Sequence, residues 1–258
     1  ALGWDYRDVI LFTGDAFIDQ PSFGTAVIAR WLQKYGYRVA VVPQPNWRDD
    51  LRDFRKLGAP RLYFGVNSGA MDSMVNHYTA AKRLRSDDAY TPEGKAGQRP
   101  DYAVTVYTKI LKEIYPDVPV VIGGIEASLR RVTHYDYWQD ALKPSILVES
   151  GADWLCYGMG ERTMLEFTRA IEAGRNISDI RKIPQLAFYM DGRSKLKDAV
   201  ILNSYERCTK DKIAFAENFH VIETYANMMT PPVLIEPVGN GYVQINPTWP
   251  PATQQEMD

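Results

Sequence analysis

The sequence predicts an α/β protein: a mostly parallel sheet with helices on both faces, followed by a small α+β extension. Three observations predict it. Apolar runs of strand length alternate with segments of helical period over the first two-thirds of the chain. Runs such as Val118, Pro119, Val120, Val121 and Ile122 are apolar throughout, which suits a strand covered on both faces. Two of these runs end in glycines followed at once by charged residues, VPVVIGGIEASLRR (Val118 to Arg131) and ADWLCYGMGERTMLEF (Ala152 to Phe167).

Asp8 to Thr13 reads as the first strand. The loop GDAFIDQPS leads to a helix opened by Ser22 as N-cap, with Phe23, Val27, Trp31 and Tyr35 on one stripe and Gly36 as its stop. Tyr37 to Val42 forms the second strand, Asp49 to Leu57 a short helix, and Arg61 to Val66 the third strand. Residues 67–101 then pass without a clear helix, and a loop that long inside a compact domain is usually a lid or binding segment. Asp101 is expected to cap a helix with Ala103, Val106, Ile110 and Ile114 on its apolar face, which feeds the glycine-ended strand. Beyond Gly174 the pattern changes. Pro184 to Met190 and Ala199 to Asn203 read as strands around a turn at Asp191 and Gly192. A helix over Thr209 to Ala226 follows, then a hairpin of Val233 to Val238 and Tyr242 to Asn246 closing on Gly239, Asn240 and Gly241. The expected organisation is a Rossmann-like unit over 1–177, an α+β extension over 178–246, and a proline-rich linker over 247–258.

Composition narrows the class. The 258 residues, 45% hydrophobic and 12% aromatic, can bury a sizeable core. Thirty basic against thirty-two acidic residues leave a net charge of −2, which supplies no general drive toward nucleic acid or anionic membrane, although a local basic patch stays open. No apolar run approaches the roughly 20 residues that span a bilayer, and ALGWDYRD has no signal pattern, so a cytoplasmic location is expected. Cys156 and Cys208 stand far apart and are expected as small core residues.

The carboxyl ends of parallel strands are where ligands sit in open α/β sheets, so the glycine-ended strands locate a candidate site. Gly123 and Gly124 would admit a ligand or a second backbone closely. If a helix begins near Ile125, Glu126, Arg130 and His134 share one face, with Arg131 and Asp136 extending the cluster. A helix start after Gly124 favours an anionic group, while the plainer reading is an ion pair on a solvated face. A second cluster follows the third strand: Asn67, Ser68, Gly69, Asp72, Asn76, His77 and Tyr78, where His77 serves as base, metal ligand or structural residue. Asp15 and Asp19 after the first strand, and Glu161 after the second glycine-ended strand, belong to the same edge. His220 reads as a packing residue, and Lys82, Arg83, Arg85, Asp87 and Asp88 as a solvated face. There is no P-loop, GxGxxG, HExxH, GxSxG or paired CxxC, so catalysis by a common self-contained motif has no support.

The segments GDAFIDQPSFG, NSGAMDSMVNHYTAAKR, DAYTPEGKAGQRPD, GGIEASLRRVTHYDYW, YGMGER and GYVQINP resemble the amino-terminal region of the YgiQ-type radical SAM proteins across nearly the whole chain. That resemblance implies a following core in the same chain, with a CxxxCxxC motif holding a [4Fe-4S] cluster and S-adenosylmethionine (SAM). This sequence has no such triplet, so these residues would be the accessory part of a longer enzyme acting on an unknown substrate. The strand-end pattern is also similar to cobalamin-binding domains, whose DxHxxG loop supplies a histidine to cobalt. Here Asp19, Pro21 and Gly24 put proline in the histidine position, so cobalamin is not expected. The alternatives are a binding module for a corrinoid, nucleotide or other anionic ligand, and a protein or RNA docking domain.

Overall fold

The computed structural model describes residues 3–18, 24–251 and 253–254; Asp19, Pro21, Ser22 and Phe23 lie outside them. In chain order the elements are β1 (Val9–Thr13), α1 (Gly24–Lys34), β2 (Val39–Pro43), α2 (Arg52–Arg55), β3 (Tyr63–Asn67), α3 (Ser73–His77), α4 (Ala103–Ile114), β4 (Val120–Ile122), α5 (Gly124–Leu129), β5 (His134–Asp136) and β6 (Ala141–Lys143). There follow α6 (Ile146–Ser150), β7 (Trp154–Cys156), α7 (Glu161–Glu172), α8 (Ile177–Ile180), β8 (Leu186–Asp191), β9 (Val200–Ile201), α9 (Tyr205–Cys208), α10 (Lys212–Ala226), β10 (Leu234–Val238) and β11 (Gly241–Ile245).

Nine strands form one sheet in the order β2-β1-β3-β4-β7-β8-β11-β10-β9, and β5 pairs with β6 in a separate ribbon. The first five pair in parallel, with Leu11 opposite both Val41 and Gly65 and Ile122 opposite Val66 and Leu155. Side chains alternate across the sheet, as the pleat requires. Ile10, Phe12, Phe64, Val66, Val120, Ile122 and Leu155 pack on one face with α2, α4 and α6. Val9, Leu11, Tyr63, Val121, Trp154 and Cys156 pack on the other with α1, α7 and α8. Residues covered on both sides have no room for polar side chains, which is why these strands read as apolar runs.

The strand order places a switch point between β1 and β3. Out of β1 the chain runs to α1 on one face, and out of β3 it runs to α4 on the other, so a crevice opens between the two strand ends.

Several elements differ from expectation. On α1 the buried positions are Thr25, Ala29 and Leu32, while Val27 and Tyr35 are exposed. Small side chains let α1 approach the sheet, while Trp31 packs partly against the core. Asp101 does not cap α4, whose N-cap is Tyr102 without a side-chain bond. The Asp101 carboxylate accepts instead from Tyr78 Oη at 2.8 Å and pairs with His77 Nδ1 at 2.6 Å. Strands β8 and β9 do not form a hairpin: β8 pairs antiparallel with β7 and β11, and β9 pairs parallel with β10 at the far edge. Both edges of β8 are occupied, so its chain must leave past Gly192 rather than turn back. The hairpin of β10 and β11 forms as expected, with Val238 opposite Gly241. His220 is exposed rather than packed, and Asp88 is buried rather than solvated.

Candidate functional site

The carboxyl ends of β1, β3, β4 and β7 surround a cleft of about 350 Å³ between the sheet edge and the first turns of α1 and α7. Its floor is apolar, from Leu11, Val66, Val121, Ile122 and Cys156, and much of its wall is glycine: Gly65, Gly69, Gly123, Gly124, Gly158 and Gly160. Gly124 opens α5 with φ +77°, and a Cβ there would stand 3.2 Å from Asn67 Cβ, so this turn admits only glycine without strain. Asn67 and Glu161 are among the polar lining residues. The Cys156 thiol is pushed up to about 12 by burial and by the nearby Glu161 carboxylate, which makes it inert at neutral pH.

Behind the cleft, a buried ion cluster ties the loop after β1 to the long segment after β3. Arg99 is fully buried and reaches Asp15 at 3.0 Å and Asp88 at 3.3 Å, while its Nη1 donates to Ser68 O at 2.8 Å. Asp15 also accepts from Ala70 N at 2.7 Å, and Asp88 from Asn76 Nδ2 at 2.9 Å and Tyr90 N at 2.8 Å. Gly69, at φ +103°, makes this possible, since a Cβ there would lie 2.1 Å from Asp15 Oδ1. Burial raises the Asp15 carboxyl above its ordinary range despite the guanidinium.

A second network binds α3, α4 and α5 together. Glu126, fully buried, accepts from Ser73 N at 2.9 Å, Ser73 Oγ at 2.5 Å and Val104 N at 3.0 Å. One carboxylate thereby caps the starts of two helices. Its pKa is raised by burial first and by Asp72 next. Asp72 caps α3 through Met74 N and Val75 N, and its other oxygen pairs with Arg130 Nη1.

Glu126, Arg130 and His134 do not share a helical face. Helix α5 stops at Leu129 with Arg130 as its C-cap, and His134 lies on β5. The chain turns extended because Val132 and Thr133 are β-branched, a signal already present in RRVTHYDY. His134 Nδ1 bonds Val132 O at 3.1 Å, and burial pushes its pKa down to about 4. Asp136 is buried and accepts from Gln139 N at 2.8 Å. Arg131 donates to Ser128 O at 2.7 Å and lies 5.1 Å from the Tyr157 ring centroid. Ser68 is buried, with its Oγ donating to Met71 O at 2.8 Å. Of the residues singled out from sequence, the structure brings Asn67, Gly69, Gly123, Gly124 and Glu161 into the cleft and gathers Asp72, Glu126 and Arg130 behind α3. Asp15 and Ser68 join the Arg99 cluster, His77 pairs with Asp101, and Asp19 lies outside the described residues. Sequence reasoning does not find Arg99 or Glu236. Nothing local marks either, because their partners are distant in sequence: Glu236 receives Thr133 N at 3.0 and 2.8 Å.

The radical SAM N-terminal family model matches residues 1–258. This chain belongs to that family. It is 54% identical to a UPF0313 protein of Porphyromonas gingivalis over 261 residues, covering 100% of this chain and 41% of the relative. A UPF0313 protein of Bacteroides thetaiotaomicron is 52% identical over 99% of this chain and 43% of its own length, and one of Geobacter sulfurreducens 46% identical over 99% and 42%. The chain therefore spans about two-fifths of the length of these relatives. Among solved structures it is similar to the radical SAM methyltransferase TsrM of Kitasatospora setae with cobalamin and a [4Fe-4S] cluster bound, at 21% identity and TM-score 0.46, over 71% of this chain and 27% of that one.

Family membership implies a [4Fe-4S] cluster, and the residues of this radical SAM N-terminal chain do not fit one. A cluster of the CxxxCxxC kind takes three thiolates, whereas the chain has two cysteines, both buried. Cys156 sits under the cleft, and Cys208 receives Asn218 Nδ2 at 3.3 Å between α9 and α10.

Proposed function

We propose that this chain is the accessory N-terminal domain of a radical SAM protein, forming the substrate side of an active site whose cluster and SAM are held by the remainder of the chain. The proposal includes a cytoplasmic location and the division at 177 and 246. The observation that carries it is the distribution of exposed apolar side chains. Phe17 and Ile18 after β1, Val75 and Leu84 after β3, Ile125 and Leu129 on α5, and Met159 before α7 are all exposed. All seven lie on segments that follow the carboxyl ends of parallel strands in the chain, and Met159 lines the cleft itself. An apolar rim at a concave site marks a surface meant to be covered.

The path of the chain supports the same reading. After β11, Pro247 O accepts from Gln185 N at 2.8 Å, and Trp249 Nε1 donates to Thr163 Oγ1 at 2.8 Å with Arg162 4.0 Å from its ring centroid. Residues 247–249 thus lie on the first turn of α7, beside Gly160 and Glu161 of the cleft. No helix among the described residues is long and apolar enough to cross a membrane. Histidine-ligated cobalamin is not part of the proposal, since proline offers cobalt no donor at position 21.

The test is association between this chain and the remainder of a family-length protein, produced separately and reconstituted with iron and sulfide without oxygen. The two parts should co-elute on size exclusion. Leu129→Asp with Met159→Asp should separate them, while Ile213→Asp on the exposed face of α10 should not. A complex indifferent to the rim pair would contradict the proposal.

A further inference from the structure

We infer that the glycine-lined cleft receives a neutral, planar heteroaromatic group of about nucleobase size and discriminates against anionic ligands. The inference rests on the proposed function in taking the cleft for a binding site, and adds the chemistry of its occupant. A cavity of about 350 Å³ stands at the lower end of the roughly 300–1,000 Å³ typical of small-molecule sites, enough for a fused ring and part of a sugar. Apolar side chains line the cleft from the sheet, Leu11 and Val121, and from the flanking helices, Ile28 and Met164.

Charge decides the class. Among the described residues lining the cleft there is no lysine, arginine or histidine, and Glu161 is the one charged side chain. Arg130 is engaged by Asp72 and Arg99 by Asp15 and Asp88, and Arg162, next to Glu161, lies against the Trp249 ring. The start of α7 has no side-chain cap and would otherwise attract an anion, but Glu161 at its first position supplies that negative charge itself. A phosphate entering the cleft would meet a carboxylate and no counterion.

Two polar groups remain to orient a ring. Asn67 Oδ1 accepts from Thr13 Oγ1 at 2.8 Å, Thr25 Oγ1 at 3.0 Å and Gly69 N at 2.9 Å. The Gly69 N–H can only donate, so it fixes which end of the amide is the oxygen, and the two hydroxyls follow it. Its Nδ2, with no partner among the described residues, is therefore a donor in a residue that lines the cleft. Glu161 offers the complementary acceptor. A donor and an acceptor between apolar walls match the edge of a nucleobase, which carries both a ring acceptor and an N–H donor. Such a ring could belong to a nucleoside or to the lower base of a corrinoid, and the experiment separates the two.

Isothermal titration calorimetry on this protein with adenosine, guanosine and cytidine, their 5′-monophosphates, inorganic phosphate and hydroxocobalamin reads the prediction. At least one nucleoside should bind at a single site, its monophosphate at least about tenfold more weakly, and phosphate not at all. Glu161→Gln should narrow the nucleoside-to-monophosphate gap to about threefold or less. Val27→Trp, at an exposed position on the cleft wall, should abolish nucleoside binding without lowering the melting temperature. Hydroxocobalamin bound in place of nucleosides, and lost in Val27→Trp, would assign the ring to a corrinoid base. Absence of binding by every nucleoside and by hydroxocobalamin, or a monophosphate or phosphate binding as tightly as the nucleoside, overturns the inference. If that happens while the Leu129→Asp, Met159→Asp pair still splits the complex, the proposed function stands without it. Nucleoside binding beside a complex that the same pair leaves intact upholds the occupant of the cleft and overturns the proposed function.

Discussion

Glu126 holds three donors from two helix starts on one buried carboxylate, so its charge is spent on the fold rather than on a ligand. Glu126→Ala should cost about 3 kcal/mol in urea unfolding, from two lost caps and a cavity; a cost under about 0.5 kcal/mol would contradict this role. Glu236 and His134 make pH the second residue-scale test. Burial raises the Glu236 carboxyl to about 7, so its contribution is full below the unfolded value near 4.5 and is lost as pH rises through 7. Burial lowers His134 to about 4, so its effect has the opposite sign: stability falls as pH drops from 6.5 toward 4. The two slopes oppose each other between pH 4.5 and 6.5. Glu236→Gln keeps an acceptor for Thr133 N and removes only the titration. Relative to the parent, its stability should rise with pH by on the order of 3 kcal/mol between pH 4.5 and 7. Calorimetric melting at several pH values checks it, and a pH-independent difference would refute the assignment.

Among the elements, the long segment after β3 is held at its ends by different means. Its start is capped by Asp72, and its end is anchored by the Arg99 guanidinium between Asp15 and Asp88. Arg99→Met strands two buried carboxylates, a change that costs roughly 3–5 kcal/mol where one partner of a buried pair is lost. Amide hydrogen exchange should quicken across residues 82–99 far more than in β3 or β4; uniform quickening would show the clip to be merely part of the global core. The parallel strands are legible in sequence because residues covered on both faces must be apolar, and the strand-end glycines because backbone comes close there. Arg99 is not legible, since Asp15 meets it only after β1 and β3 have paired. The helix expected to carry Glu126, Arg130 and His134 ends early because Val132 and Thr133 favour extended backbone and tertiary pairing with β6 is available. The connection from β8 to β9 departs from expectation for a related reason: Asp191 and Gly192 signal a turn, but not which strand comes next to β8.

Across the whole molecule, the cleft, the apolar rim and the departing residues 247–249 meet at one end of the sheet. The exposed side chains Ile213 and Phe219 lie on α10, which contributes no residue to the cleft lining, and serve as an internal reference. The most direct measurement is hydrogen–deuterium exchange by mass spectrometry, comparing this chain with a family-length protein. The account predicts protection in the longer protein over residues 123–129 and 157–161, with no change over 212–220. Equal exchange at the cleft in both proteins, or protection confined to α10, would contradict it.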